Sequence, residues 1–210
     1  MSIPNKILPI QPQNWVAQQV VQFRSDASGF PLDRFYYGLF AEVSGRLAVG
    51  VADALAEAAE SPLPFLERIH IYGQHRRRNE QTDIIDLRGA SAFHKFGTIY
   101  RSRSPNNTGA MGLTQGDNDF RFYVPIIFPP QKISVLQQAG FLLDAPNYDW
   151  IQADFHMSDG NSVLDADATT TFTLTAFGSA TGTPQIRLHR LIPNLRGERV
   201  GLITGLVRSE

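Results

Sequence analysis

The sequence predicts an all-β fold, an antiparallel β-sandwich of jelly-roll type with one short helix and long loops. Three observations carry this expectation. Apolar and polar residues alternate with a period of two over 34–44, 65–72, 148–157 and 168–177, the pattern of strands with one buried face. Strands do not alternate with long helices, so a parallel α/β sheet is disfavoured. The turns between strands are rich in Gly and Pro, long and uneven, which favours Greek-key or jelly-roll wiring over an up-and-down meander. No repeat period is visible, which disfavours propellers and solenoids.

Residues 1–16 read as an extended N-terminal arm, and 17–210 as the sandwich domain. Pro4, Pro9 and Pro12 argue against regular helix or strand pairing in the arm. Its apolar residues Ile3, Ile7, Leu8, Ile10 and Trp15 call for a docking surface, either the arm's own domain or a neighbouring subunit. The expectation is that part of the arm lies on a neighbour, with order strongest around Trp15.

The first strand spans 19–24, and a turn follows at 26–31. The strand at 34–44 places Phe35, Tyr37, Leu39, Ala41 and Val43 on one face, and Gly45-Arg46 offers a hairpin turn. Residues 52–60 are almost all Ala, Leu and Glu, the strong helix formers, and Ser61-Pro62 stops that helix. A strand at 65–72 puts Phe65, Ile69 and Ile71 on one face; a polar loop covers 74–81 and a short strand 82–89. Residues 90–101 suggest a helical turn, and 102–119 a long surface loop.

Pro125 demotes the strand at 120–128 to a sheet edge or marks a bulge. A strand at 148–157 leads to an Asp159-Gly160 turn. The cleanest alternation lies at 168–177, where Thr alternates with Phe172, Leu174 and Ala176. A turn over 178–184 and strands at 185–192 and 199–207 complete the reading, a total of nine or ten strands.

Composition narrows the function classes. A chain of 210 residues with 42% hydrophobic residues builds a real core, and a net charge of −1 supplies no global pull toward nucleic acid or membrane. No cysteine is present, which removes disulfides, thiol nucleophiles and thiolate metal sites. Neither a signal-peptide run nor an apolar stretch of spanning length is seen, so the expectation is a soluble protein. GxSxG, GxGxxG and GxxxxGK[ST] do not occur, and no catalytic or cofactor-binding residue is assigned.

Four candidate clusters remain. The histidines His70, His75, His94, His156 and His189 form neither HxH nor HExxH, and His70 and His75 on one strand point to opposite faces. Asp159, Asn161, Asp165 and Asp167 offer oxygen ligands of the kind calcium takes, without EF-hand spacing. His75-Arg76-Arg77-Arg78, with Arg101 and Arg103, is the basic cluster, a candidate for phosphate contact or for a neighbouring subunit. Trp15, Tyr148 and Trp150 are candidates for a sugar platform or for core.

The segments GFPLDRFYYGLFAEVSG, PLPFLERIHIYGQ, FRFYVPIIFPP and LLDAPNYDWIQADFHMSDGNSVL occur in that order. Over residues 19–165 this order resembles the jelly-roll capsid proteins of tailless, icosahedral, membrane-containing double-stranded DNA viruses. The length suits the relatives with a single jelly roll, about eight strands each. The resemblance implies a structural virion protein, not an enzyme, that self-assembles with copies of itself or a sister coat protein. It implies location in the virion, an internal viral membrane as a further partner, and no cofactor, specific nucleic acid or small-molecule substrate. Other classes stay open: a carbohydrate-binding jelly roll, a metal-dependent jelly-roll enzyme, and a tail, neck or fibre component of a bacteriophage.

Overall fold

In the computed structural model the described residues are 5–25, 32, 35–36, 38–50, 58, 61–77, 79–89, 91–92, 113–128, 143–164 and 170–193. They form strands β1 (Asn5–Pro9), β2 (Gln13–Asn14), β3 (Val20–Arg24), β4 (Phe35–Tyr36), β5 (Gly38–Val49), β6 (Leu66–His75), β7 (Glu80–Arg88), β8 (Gly116–Ile127), β9 (Leu143–Asp144), β10 (Tyr148–Met157), β11 (Phe172–Thr175) and β12 (Gln185–Pro193). Short 3-10 turns occupy Leu63–Phe65, Ala145–Asn147 and Gly160–Ser162. Among the described residues no helix is long and apolar enough to cross a membrane.

β5 is the spine of the first sheet. β8 pairs along its whole length on one edge, while β12 and then β11 pair along the other. β1 and β2 follow one another along the far edge of β12. The second sheet has the order β3-β10-β6-β7, and β4 and β9 form a separate two-stranded ladder. Every pairing is antiparallel. The chain crosses between the two sheets repeatedly: β3 lies in the second, β5 in the first, β6 and β7 in the second, β8 in the first, β10 in the second, β11 and β12 in the first. This is Greek-key, jelly-roll wiring, as expected.

The inward residues of both sheets form one core. Leu39, Ala41, Val43 and Leu47 of β5 meet Phe122 and Val124 of β8 and Ile186 and Leu188 of β12. The second sheet contributes Val21, Phe23, Ile69, Ile71, Ile85, Ala153 and Phe155. Aromatic contacts line this core: Phe65 stacks on Phe120 of the first sheet with ring centroids 4.5 Å apart, and within the second sheet Phe23 lies edge-on to Phe155 at 5.8 Å.

Several expectations are corrected. Gly45-Arg46 is not a turn, because β5 runs through it to Val49. A Cβ at Gly45 would sit 2.8 Å from both Phe120 and Pro184, so this glycine serves close packing. Of the loop expected at 102–119, residues 102–112 lie outside the described residues, and its end is strand: β8 starts at Gly116, and the Asn118 amide bonds the Thr114, Gly116 and Leu47 carbonyls. The polar stretch 74–81 is shorter as a loop, since β6 reaches His75 and β7 begins at Glu80. Of the strand at 168–177, residues 168–169 lie outside the described residues, and among 170–177 the strand is Phe172–Thr175. The edge position expected from Pro125 holds: β8 pairs only with β5 among the described residues, so a missing donor is tolerated there. Apart from Ala58, Ser91 and Ala92, the helix at 52–60 and the turn at 90–101 lie outside the described residues, as does the strand at 199–207.

The arm is the largest correction. Asn5–Pro9 pairs in register with Pro193–His189, and Gln13 and Asn14 with Ile186 and Gln185 of the same chain. Pro9 ends β1 and Pro12 lies in the break before β2, so these prolines interrupt the edge rather than forbid it. Ile10 is buried, and Trp15 is 0% exposed with its ring 5.8 Å from Phe65. The described arm residues therefore dock on their own domain, with Trp15 buried against Phe65.

Candidate functional site

The alternation that buries one face of each sheet turns polar side chains outward from the other. On the second sheet, Arg68, His70, Tyr72 and Gln74 of β6 stand beside Trp150, Gln152, Asp154 and His156 of β10. They are extensively bonded. The Tyr72 hydroxyl donates to Asp154 at 3.1 Å, Gln152 to the same carboxylate at 2.8 Å, and the Trp150 indole to Gln74 at 2.8 Å. Arg24 lies over the Trp150 ring at 5.3 Å. Burial, with the Asp154 charge, pushes the Tyr72 hydroxyl above its ordinary pKa. Arg68 grips Asp86 through two 2.7 Å bonds, and this hydrogen bonding holds that carboxyl below its usual range.

On the first sheet, Glu42 of β5 is 9% exposed and meets His189 of β12 at 2.6 Å and Arg121 of β8 at 3.5 Å. Arg46 bonds Asp117 and Asp119 at 2.7 Å each, and the Asp119 carboxylate also accepts from the Gly178 amide at 2.9 Å. A cleft of about 300 Å³ opens on this face, lined by Pro12, Glu42, Ser44, Arg121, Ala176, Phe177, Gln185 and Arg187.

The sequence candidates disperse over this frame. His70 bonds Asp83 at 2.9 Å, His75 packs edge-on to Tyr148, His156 lies opposite Arg68, and His189 belongs to Glu42; His94 is outside the described residues. Among the described residues no group of three His, Asp or Glu is placed to hold a metal ion. The Asp159 carboxylate caps the Gly160–Ser162 turn, accepting from the Asn161 amide at 3.0 Å and from the Gln18 side chain at 3.1 Å. Asp165 and Asp167 are outside the described residues.

In the basic cluster Arg76 pairs with Asp149 at 3.0 Å, Arg77 is exposed, and Arg78, Arg101 and Arg103 are outside the described residues. The sugar platform does not form, because Trp15 and Tyr148 are buried and Trp150 alone stands on an outer face. The cleft of Glu42, Arg121 and Arg187 escaped the sequence reading. Its residues come from β5, β8 and β12, and only the pairing register brings them together.

The structure defines the class of fold as a jelly-roll β-sandwich, and comparison with solved structures agrees. The crystal structure of the STIV major capsid protein (MCP) is similar with a TM-score of 0.58 at 9% identity, over 95% of this chain and 52% of that one. An atomic structure of Sulfolobus Turreted Icosahedral Virus is similar with a TM-score of 0.57 at 8% identity, over 93% of this chain and 47% of that one. The chain thus spans about half the length of these neighbours. No protein-family model matches the chain, and no curated protein matches it in sequence.

Proposed function

We propose that the chain is a capsid subunit, a structural virion protein that assembles with copies of itself or a sister coat protein into an icosahedral shell. The observation that carries this reading is the likeness to the STIV major capsid protein, which runs through 95% of the chain as a single jelly roll. The bonded outer faces suit it, since a coat subunit presents rigid walls to its neighbours.

In this reading the chain has no catalytic step, cofactor or small-molecule substrate. Its partners are other coat subunits, with an internal viral membrane behind the shell and no specific nucleic acid. Residues 1–16 act as an arm on the domain formed by 17–210, its strands at 5–9 and 13–14 extending the sheet beside β12. The test is the mass and shape of the assembled protein, by light scattering and electron microscopy. A large closed shell is expected, formed alone or with a sister protein. A monomer that binds glycans, or a small ring or trimer, would overturn the reading.

A further inference from the structure

We propose that the outer face of the second sheet pairs with the same face of a second copy about a two-fold axis along the strands, Arg24 of each copy meeting Asp83 of the other. The contact goes beyond the coat-subunit reading, because a two-fold pair closes on itself and needs no shell.

The pairing registers lay this face out in rows across the strands. One row runs Arg24, Gln152, Tyr72, Asp83 from β3 to β7, and the next runs Gln22, Asp154, His70, Asp86. Asp83 and Asp86 share the outer face because the ladder between β6 and β7 steps from Ile85 to Asp83 and leaves Ile84 as a bulge. In these two rows one edge is therefore basic and the other acidic. The face is open to solvent: Gln22 and Arg24 are exposed, and the side chains of Asp83 and Asp86 are 68% and 47% exposed. Its centre is already fixed by the bonds of Asp154 to Tyr72 and Gln152, so docking immobilises few side chains there.

A two-fold axis between β10 and β6 reverses each row on the facing copy. Arg24 then stands over Asp83 and Asp83 over Arg24, two opposite-charge pairs, with Tyr72 over Gln152 and Asp86 over Gln22. The third row sets Val20 over Arg88 and His156 over Arg68 and adds no such pair, so the contact rests on Arg24 and Asp83. An axis across the strands, centred on the same two rows, would set Asp83 on Asp86, carboxylate against carboxylate; charge selects the axis along the strands. Arg24 is engaged within its own chain, over the Trp150 ring at 5.3 Å and elsewhere, and a guanidinium with five donors serves more than one acceptor. Asp83 likewise keeps its 2.9 Å bond to His70 and has two oxygens to accept with. Four strands about 4.8 Å apart, over roughly eight residues at about 3.4 Å each, give about 500 Å² a side and about 1,000 Å² in all, the lower limit of a specific interface.

The experiment is sedimentation equilibrium of the full chain over a concentration series at low and high salt, with thermal melts to confirm folding. A concentration-dependent dimer is expected, weakened by salt. Arg24→Glu and Asp83→Arg should each weaken it roughly tenfold or more, the loss expected for close charge pairs at an interface. An equimolar mixture of the two variants should restore it, because each supplies the charge that the other lacks. Arg24→Gln and Asp83→Asn replace any reversal that fails to fold, each again weakening the dimer. A chain that is monomeric at every concentration, or association indifferent to both positions, would overturn the contact. So would weakening that the mixture does not reverse. A closed shell that forms equally well with either reversal would overturn the contact and leave the coat reading standing. A dimer that builds no shell, alone or with a sister coat protein, would keep the contact and overturn the coat reading.

Discussion

β5 and β11 pair side by side over Arg46–Val49 and Phe172–Thr175, yet the sheet uses them differently. β5 runs for 12 residues and sends Leu39, Ala41, Val43, Leu47 and Val49 into the core. β11 has 4 residues, and its Phe172 and Leu174 are only partly buried. The reason is position. β5 has paired neighbours on both edges and a second sheet beneath it, whereas β11 pairs only with β5 among the described residues. Alternation in sequence reports that a strand has two unlike faces. How deep the apolar face lies depends on what covers it.

The sharpest way to break this comparison is Leu47→Ala. Leu47 is 0% exposed and lies between Leu174 and Asn118 in the register. The substitution should cost ~2–5 kcal/mol, read by urea denaturation. A cost no larger than that of truncating β11 would show that the two strands are equally buried.

Gly160→Ala comes next. A Cβ there would sit 2.5 Å from the Phe172 ring, which lies against the turn capped by Asp159. Overpacking should cost ~1–3 kcal/mol in the wild type and much less in a Phe172→Ala background. Equal costs in the two backgrounds would separate Phe172 from that turn.

Phe172→Ala alone should cost ~1.5–2.5 kcal/mol, below the range for a fully buried Phe, because the ring is only partly covered. A larger loss in the same denaturation experiment would place β11 in the core proper.

The smallest effect concerns the tether of β11. Asp119 of β8 bonds Arg46 of β5 and the Gly178 amide just beyond β11. The Arg46 hydrogen bond, then the Gly178 amide, holds its carboxyl below the usual range. A depressed carboxylate stabilises the fold above its unfolded pKa of ~3.9, and the contribution disappears as pH falls below that value. The Tm difference between wild type and Asp119→Asn should therefore be steady from pH 7 to about 5 and shrink through pH 4. A difference that grows on acidification would refute the assignment.

Much of the fold was legible in local chemistry. Strands at 19–24, 148–157 and 185–192 appear within a residue or two of their expected places, because period-two alternation is set by the strand itself. The Asp159-Gly160 turn was legible for the same reason: an Asp side chain caps its own backbone two residues on. The errors arose where a local signal had a distant cause. Gly45 looked like a turn and is a contact with Phe120 and Pro184. The prolines of the arm looked like a bar to pairing, and the edge of β12 accommodates them.

The sequence alone determined that the chain is an all-β sandwich, with alternating faces, turn-rich connections and no motif for catalysis. Those properties live in residue type and spacing over a few positions. Only the tertiary structure decided that the arm pairs with its own sheet, that Phe172 is half-buried while Leu47 is fully buried, and that Glu42, Arg121 and Arg187 share one cleft. The latter facts depend on register between strands far apart in the chain. A slip of one residue would turn Glu42 inward and move the cleft's charges apart.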